Sequence, residues 1–246
     1  MGLIGWVKSL GGKVLYYPGC LTKSVLSQEF ENYKEIFNKL GVDFILLSDK
    51  ETCCGLPVLN AGYRKDARKL AKKNFDLFKK NSVTKIITNC PACYHMFKEV
   101  YPKLVREWDI EVEHVTVTIF EALKKRGIKF RGSDEERGIV SYHDPCYLGR
   151  YSEIYDEPRK VIELLGGKIA EMKFNRENAI CCGGEMRVNF PNVSKKIAME
   201  RVKFIPSDAT RIISPCGLCY LNLKSASEKS IEFSSFVLGK LRGLGR

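Results

Sequence analysis

The sequence predicts an α/β fold composed of two tandem, duplicated halves with parallel sheets. Three observations lead to this prediction: predicted strands and helices alternate along the 246 residues, ten cysteines recur in two similarly spaced sets, and a charged, glycine-bearing segment separates the sets. Alternating strands and helices are typical of parallel sheets joined by right-handed crossovers. A chain of this length forms one large domain or two small ones of roughly 120 residues each.

The cysteine spacing indicates an internal duplication. The offsets from Cys20 to Cys146, from Cys53 to Cys181 and from Cys90 to Cys216 are 126, 128 and 126 residues. Three landmarks that share nearly one offset indicate a tandem repeat. We place the first half at residues 1–131 and the second at residues 132–246. All the cysteines belong to the two sets: Cys20, Cys53, Cys54, Cys90 and Cys93 in the first half, and Cys146, Cys181, Cys182, Cys216 and Cys219 in the second.

Hydrophobic patterns predict a β-α-β-α-β-α order in each half. The predicted strands are residues 13–17, 42–47, 85–88 and 112–117, then residues 139–143, 168–174 and 210–214. The predicted helices are residues 25–40, 63–80, 118–126, 157–165 and 192–204, with further helices after Cys93 and Cys219 and an amphipathic segment over residues 231–241. Each cysteine group follows the C-terminal end of a predicted strand, the edge at which open, Rossmann-like sheets bind ligands. We therefore expect the five cysteines of each half to converge.

These cysteines indicate a metal centre. No apolar run is long enough to span a bilayer, and the first ten residues lack the basic start and long apolar block of a secretory signal, so we expect a cytoplasmic protein. In a reducing cytosol, clustered cysteines favour metal binding or catalysis over disulfides. Structural zinc and cubane iron–sulfur clusters each take four ligands. Five cysteines per half, two of them adjacent, suggest an extended cluster instead.

Two motifs carry a resemblance to a known family: Cys20-x32-Cys53-Cys54-Gly55-x34-Cys90-x2-Cys93 and Cys146-x34-Cys181-Cys182-Gly183-x33-Cys216-x2-Cys219. They resemble the cysteine-rich CCG domain over nearly the whole chain. That family includes the catalytic subunit of heterodisulfide reductase, in both its B and D types, and iron–sulfur subunits of glycolate, lactate and anaerobic glycerol-3-phosphate oxidation. The segment Tyr142-His-Asp-Pro-Cys-Tyr-Leu-Gly-Arg150 is similar to a signature of the heterodisulfide reductase type.

The resemblance implies two noncubane [4Fe–4S] clusters, each held by the five cysteines of one half, and redox chemistry on a small thiol or disulfide substrate. The chain contains no ferredoxin-type cysteine run and no dinucleotide fingerprint. We therefore expect electrons to come from a partner, either a ferredoxin-like iron–sulfur subunit or a flavoprotein subunit, which can be membrane-associated.

Two other functions are compatible with the sequence. One is an electron-transfer subunit of a flavin-dependent lactate, glycolate or glycerol-3-phosphate dehydrogenase, in which the partner carries out the chemistry. The other is a structural zinc protein with zinc in one or both halves, against which the fifth cysteine of each half counts.

Several residues near the cysteines have candidate roles. His143 is a candidate proton donor near neutral pH, or a side chain that only hydrogen-bonds the cluster loop; its counterpart in the first half is Tyr17. Glycines beside the adjacent cysteines are expected to form tight turns that let the backbone approach a cluster: Gly55, Gly183 and Gly184. His95 is expected to face solvent and His114 to be structural.

The charge distribution gives weaker indications. The formal net charge is +12, and most basic residues fall on the outer faces of predicted helices. No nucleic-acid-binding motif accompanies them, so we expect no nucleic acid partner and favour an acidic protein or an anionic membrane surface. Lys23 and Arg150 are candidates for attracting an anionic substrate. The apolar segments 3–10 and 233–241 are expected to pack on the chain's own core, with partner docking as the alternative.

Overall fold

A computed structural model describes residues 11–47, 50–133, 135 and 137–243. The first half contains β1 (Lys13–Tyr16), α1 (Gly19–Ser24), α2 (Ser27–Leu40), α3 (Leu56–Asn60), α4 (Arg64–Lys80), β2 (Val83–Thr88), α5 (Pro91–His95), a π-helical turn (Met96–Val100), α6 (Tyr101–Leu104), β3 (Glu111–His114) and α7 (Val115–Arg126). The second contains β4 (Gly138–Tyr142), α8 (Asp156–Leu164), β5 (Gly167–Ile169), two 3-10 turns (Arg176–Asn178 and Gly184–Arg187), α9 (Pro191–Val202), β6 (Arg211–Ser214), α10 (Gly217–Lys224), β7 (Ser230–Glu232) and α11 (Phe233–Gly243).

Each half builds its own parallel sheet, which confirms the predicted α/β class with duplicated halves. The strand order is β1-β2-β3 in the first sheet and β5-β4-β6-β7 in the second. In the second sheet β5 lies beside β4. In the first sheet the equivalent position beside β1 is occupied only by an isolated parallel bridge between Leu15 and Ile45. There the Tyr16 amide donates to the Ile45 carbonyl at 3.0 Å, and the Ile45 amide donates to the Val14 carbonyl at 2.8 Å. The two sheets are therefore equivalent, with a minimal edge in the first half.

Three predicted boundaries were wrong at places where a β-rich sequence does not continue as strand, and the amphipathic segment predicted over residues 231–241 begins inside strand β7 before it continues as α11. Residues 42–47 form only the bridge at Ile45, and the strand predicted over residues 168–174 ends at Ile169. Both segments lie at a sheet edge, where only one side of the backbone finds a partner. Helix α7 begins at Val115 rather than at residue 118, because the His114 side chain accepts a hydrogen bond from the Thr116 amide and caps the helix.

One hydrophobic core cluster is shared by the two halves, and a second cluster is formed by buried residues of the first half. Helix α2 packs against α11, and α7 packs against α8, so that each half supplies one helix to each pair. The Tyr33 hydroxyl donates to Glu232 Oε1 at 2.8 Å across this junction. Phe233 and Val237 are fully buried, which confirms that segment 233–241 packs on the chain's own core. Segment 3–10 lies outside the described residues, and the boundary at residues 131 and 132 stays a prediction.

The described part of the chain contains no helix that is both long enough and apolar enough to cross a bilayer.

Candidate metal centres

All ten cysteines lie beyond the carboxyl ends of the parallel strands, as predicted. Cys20 opens helix α1 just after β1, and Cys90 precedes α5 just after β2. Cys146 follows β4, and Cys216 precedes α10 just after β6. The adjacent pairs occupy the loops before α3 and before the 3-10 turn at residues 184–187. We call the group in the first half the first site and the group in the second half the second site.

Within each site the five sulfurs form one connected series of hydrogen-bonding contacts. In the first site the order is Cys20, Cys53, Cys54, Cys93 and Cys90. In the second it is Cys146, Cys181, Cys182, Cys219 and Cys216. The sulfurs of Cys182 and Cys219 are 3.1 Å apart. All ten cysteines are free thiols, and one member of each site, Cys20 or Cys181, is exposed to solvent.

In each site the first cysteine of the adjacent pair is held as a thiolate, and in the first site the pKa of Cys90 is lowered as well. Hydrogen bonds from Cys20 and Cys54 lower the pKa of Cys53 to about 2, and bonds from Cys146 and Cys182 lower the pKa of Cys181 to about 2. The Gly55 and Gly183 amides also donate to these sulfurs, at 3.4 and 3.3 Å. Thiolates are the form that binds metals, and metal binding displaces the protons of the remaining thiols.

The predicted glycine turns are present. Gly55 and Gly183 have φ angles of 91° and 81° and begin the helical turns that follow the adjacent cysteines. This left-handed region strongly favours glycine. Gly184 serves close packing, since a Cβ there would lie 2.9 Å from Leu218 Cγ and 3.3 Å from Cys182 Sγ.

The second site is lined by a buried imidazole. His143 is 1% exposed, and one of its ring nitrogens lies within 4.8 Å of the sulfurs of Cys182 and Cys219. Arg201 Nε donates to His143 Nδ1 at 3.2 Å, which leaves Nε2 as the atom that carries the proton. Burial, followed by the charge of Arg201, lowers the pKa of His143 to about 3. His143 is therefore neutral at neutral pH, and its Nε2–H can donate a hydrogen bond, whereas protonation of a thiolate would require the imidazolium form.

The first site has aromatic surroundings instead. Tyr17 takes the place of His143 and donates its hydroxyl to the Thr52 carbonyl at 2.5 Å. Its ring packs edge-on against Phe97 and Phe78, with centroids 4.8 and 6.3 Å away. Asn74 donates to the Cys53 carbonyl at 3.1 Å and fixes the backbone of the adjacent pair. No charged side chain among these contacts replaces Arg201.

A match to a family model decides the classification. Residues 14–98 and residues 140–224 each match the model described as "CCG: Cysteine-rich domain". The chain belongs to the CCG family. The two matched segments contain all the cysteines, so the resemblance predicted from the spacing is confirmed.

Curated relatives connect this CCG protein with iron–sulfur oxidoreductases. The D subunit of dihydromethanophenazine:CoB–CoM heterodisulfide reductase from Methanosarcina acetivorans is 31% identical over 94% of this chain and 59% of the relative. The probable iron-sulfur-binding oxidoreductase FadF of Bacillus subtilis is 35% identical over 72% of this chain and 24% of the relative. EtfAB:quinone oxidoreductase of Syntrophomonas wolfei is 31% identical over 69% of this chain and 23% of the relative. The chain spans little more than half the length of the heterodisulfide reductase relatives it matches.

The two CCG repeats contact each other through residues that neighbour their cysteines. Tyr147, next to Cys146, accepts a hydrogen bond from Asn60 at 3.3 Å, and its ring lies 5.4 Å from that of His95. In the opposite direction, Gly217, next to Cys216, packs so closely on Leu26 that an added Cβ would lie 2.5 Å from Leu26 Cδ1. The segment that follows the first cysteine of each half thus contacts the Cys-x-x-Cys helix of the other half.

One expectation for the surrounding residues needs revision. His95 is half-buried, because its ring lies 5.4 Å from that of Tyr147 and 5.5 Å from that of Tyr151. Arg150 is exposed and its Nη1 donates to the Ala179 carbonyl, and its role in attracting an anionic substrate stays a prediction. His114 is fully buried and caps α7, in agreement with a structural role.

Sequence reasoning missed an ion pair that supports the second site. Both carboxylate oxygens of Asp144 accept from the Arg159 guanidinium, at 2.7 and 2.9 Å, and Glu171 binds the same guanidinium at 2.6 and 2.9 Å. Asp144 also accepts from the Arg176 amide at 2.9 Å. Because Asp144 lies between His143 and Cys146 in sequence, this network fixes the loop that carries both. The sequence contains no clear indication that Arg159 is buried, because helix α8 has an ordinary amphipathic pattern.

Arg201 and Asn74 were missed as well, although a signal existed. Asn74 follows Ala67 and Ala71 on the buried face of α4, and Arg201 follows Ser194 and Ala198 on the buried face of α9. A polar or charged residue that continues a stripe of small, buried residues at helical spacing is a candidate for a role inside the core.

The residues present fit an iron–sulfur cluster. Five sulfurs converge in each site, where a tetrahedral metal ion would need four. At the first site a Cβ on Gly19 would lie 3.1 Å from Cys93 Sγ, so the backbone is already as close to the sulfurs as it can be. At the second site His143 Nε2, Arg201 Nη1 and Arg201 Nη2 are buried without a hydrogen-bond partner among the described residues. Buried donors of this kind require an acceptor.

Proposed function

We propose that the chain is an iron–sulfur oxidoreductase subunit in which each CCG repeat holds one [4Fe–4S] cluster of the noncubane type through its five cysteines. The observation that carries the proposal is the pair of connected, disulfide-free series of five sulfurs. Zinc in one or both halves would leave a cysteine of that half without a role. The ten free thiols also suit a reducing compartment, and we propose a cytoplasmic location.

The proposed reaction is the reduction of a small disulfide to two thiols, or its reverse. Reduction consumes two electrons, which a partner subunit supplies, and two protons. When bound, the clusters supply one-electron exchange and iron that can bond a substrate sulfur. The relation to the D subunit of heterodisulfide reductase supports this substrate class. The two repeats pack against each other beside Cys146 and Cys216, so that one substrate can be shared between the sites.

The chain's own residues would bind the clusters and position the ligands around them. The ten cysteines bind, the Gly55 and Gly183 amides orient the sulfurs of Cys53 and Cys181, and the Asp144–Arg159 pair keeps the loop of Cys146 in place. His143 would donate a hydrogen bond from Nε2 to a sulfur at the second site. Exposed Cys20 and Cys181 mark where a partner or substrate gains access.

A second candidate function is electron transfer without substrate chemistry, as the iron–sulfur subunit of a flavin-dependent dehydrogenase. The matches to FadF and to EtfAB:quinone oxidoreductase favour it, since both are named as oxidoreductases without reference to a disulfide. For this second function the partner would be a flavoprotein. For the first function the partner would be a ferredoxin-like iron–sulfur subunit, or an equivalent subunit, that supplies electrons.

Metal analysis after anaerobic purification tests the proposal. We expect about eight irons and about eight labile sulfides per chain, with little zinc. The variants Cys54→Ser and Cys182→Ser should each lower the iron content by about half, because each removes a ligand from one site only. The two variants serve as controls for each other. Stoichiometric zinc without labile sulfide would overturn the proposal.

Turnover then separates the two functions. With a chemically reduced one-electron donor in excess, the loaded chain should convert a small disulfide to thiols, and the thiols can be counted with a chromogenic reagent. A loaded chain that accepts and returns electrons but yields no thiol from a panel of disulfides would support the electron-transfer function.

A further inference from the structure

Arg201 is a buried cation that forms no ion pair with any residue that the structure describes. It is 0% exposed and is the largest fully buried side chain among the described residues. Its Nε donates to His143 Nδ1, whereas Nη1 and Nη2 have no hydrogen-bond partner within the described residues. Removing a guanidinium from water without pairing it carries a large free-energy cost, so an anionic group is expected beside it in the functional protein.

The acidic groups near Arg201 place its expected counter-ion in the second site. Burial lowers the pKa of Arg201, while Asp144, Cys182 and Cys219 raise it, which identifies these three groups as its acidic neighbours. Asp144 is already committed, because both of its oxygens bind Arg159. Cys182 and Cys219 remain, and His143 lies between them and Arg201.

Among the described residues, the first site has an uncharged side chain at the position that corresponds to Arg201. Gly55 lies against Ala67 and Leu70, while Gly183 lies against Ser194 and Ile197, which relates α4 to α9 by an offset of 127 residues. By this offset Asn74 corresponds to Arg201. Its neutral amide is fully occupied, since it donates to the Cys53 carbonyl and to the Tyr101 hydroxyl. The pair Tyr17 and Asn74 therefore replaces the pair His143 and Arg201, and the sites differ by one buried positive charge.

We propose that Arg201 is the buried counter-ion of the second cluster and, directly and through His143, holds the reduction potential of that cluster above that of the first. This inference rests on the proposed function, because it assumes a cluster in each site. A fixed positive charge in a medium of low dielectric constant stabilises the state that carries one more electron. At equilibrium the reduced first cluster loses one electron, the second gains it, and the first electron delivered to the chain resides at the second site.

A redox titration of the loaded, full-length chain tests the inference, with electron paramagnetic resonance to resolve the two clusters. The variant Arg201→Met keeps the length of the side chain and removes the charge. We expect it to lower one of the two potentials by a tenfold change in the equilibrium constant of reduction, or about 59 mV for one electron. The other potential should stay unchanged.

Three further variants make the outcome decisive. Arg201→Lys keeps the charge and should retain most of the wild-type potential, which a merely structural role would not predict. Lys196→Met removes a positive charge from the exposed face of the same helix and should leave both potentials unchanged. A chain that combines Cys53→Ser and Cys54→Ser retains only the second site, and the signal it keeps should be the one that Arg201→Met shifts.

The failures can be distinguished. Wild-type protein without two clusters would contradict the proposed function. Two clusters with potentials that Arg201→Met leaves in place, or a shift confined to the first cluster, would overturn the inference about Arg201 alone. If Arg201→Met does not accumulate as folded protein, Arg201→Lys decides. A wild-type-like reduction potential in that variant supports the proposal, and a reduction potential lowered by the full amount of about 59 mV contradicts it.

Discussion

A few buried polar residues set the second site apart from the first. Arg159 joins Asp144 and Glu171, and its guanidinium also lies 4.7 Å from the Tyr142 ring. All of these contacts converge on the end of β4, the strand that leads into His143 and Cys146. The geometry of one ligand loop therefore depends on a single buried ion pair.

Removing that pair should be costly. The variant Arg159→Met leaves Asp144 buried without its cation, and we expect a loss of about 3–5 kcal/mol in the free energy of unfolding. Chemical denaturation under anaerobic conditions measures the loss. The matched control is Arg176→Met, which removes an exposed ion pair with Asp156 and should cost less than about 1 kcal/mol. Equal losses in the two variants would contradict the role assigned to Arg159.

At the scale of elements, helix α9 is seated directly on the loop of the second adjacent pair. The single hydroxyl hydrogen of Ser194 is shared between the Gly183 carbonyl at 2.8 Å and Asn222 Oδ1 at 2.9 Å, while the Asn222 amide group donates to the Cys182 carbonyl at 2.6 Å. This packing explains why the same helix can carry Arg201 into the interior beside the second site. It also leaves no room for a side chain at Gly183.

The variant Gly183→Ala should therefore destabilise the protein and weaken the second site. Its positive φ costs roughly 1–2 kcal/mol for any side chain, and the new Cβ would lie 2.9 Å from Ile197 Cβ and 3.0 Å from the Ser194 carbonyl. Gly127→Ala is the matched control, since its φ is also positive at 62° but a Cβ there meets nothing within 4 Å. We expect Gly183→Ala to lose more stability in denaturation and to lose iron selectively. Iron content equal to that of the control would refute the packing argument.

At the scale of the whole molecule, the halves are joined through Glu232. This fully buried carboxyl accepts from Tyr33 at 2.8 Å and from the Ser234 amide at 2.6 Å. Burial raises the pKa of Glu232 to about 7, above the ordinary value of 4.5. The folded protein binds the proton of Glu232 more tightly than the unfolded chain does. The contribution of this proton to the free energy of unfolding is therefore complete below about pH 4.5 and is lost as the pH rises through about 7.

Stability should consequently fall with rising pH in a way that depends on Glu232. A shift of this size corresponds to about 3 kcal/mol. The neutral variant Glu232→Gln cannot titrate, so the difference in unfolding free energy between wild type and variant should change by about that amount between pH 5 and pH 8. Denaturant titrations at several pH values measure it. Parallel pH profiles would show that Glu232 does not titrate in this range.

The sequence was sufficient for some of these features and insufficient for others. The convergence of the cysteines was predictable, because parallel strands bring their carboxyl ends to one edge wherever they lie in the sequence. The strands at residues 42–47 and 168–174 were overpredicted, because an apolar run reports burial but not whether a neighbouring strand is available. The burial of Arg201 and Arg159 depends on tertiary packing. A single sequence indicates it only weakly, through small residues at helical spacing in front of Arg201.

The core shared by the two repeats has a consequence for how the protein arose. The pairing of α2 with α11 and of α7 with α8 relates the halves as the subunits of a two-fold dimer would be related. A dimer of identical single repeats must have identical sites, because any substitution appears twice. Joining the repeats in one gene removes that constraint. The fused chain keeps Tyr17 and Asn74 at one site and His143 and Arg201 at the other, and with the clusters proposed above this difference gives electron flow a direction.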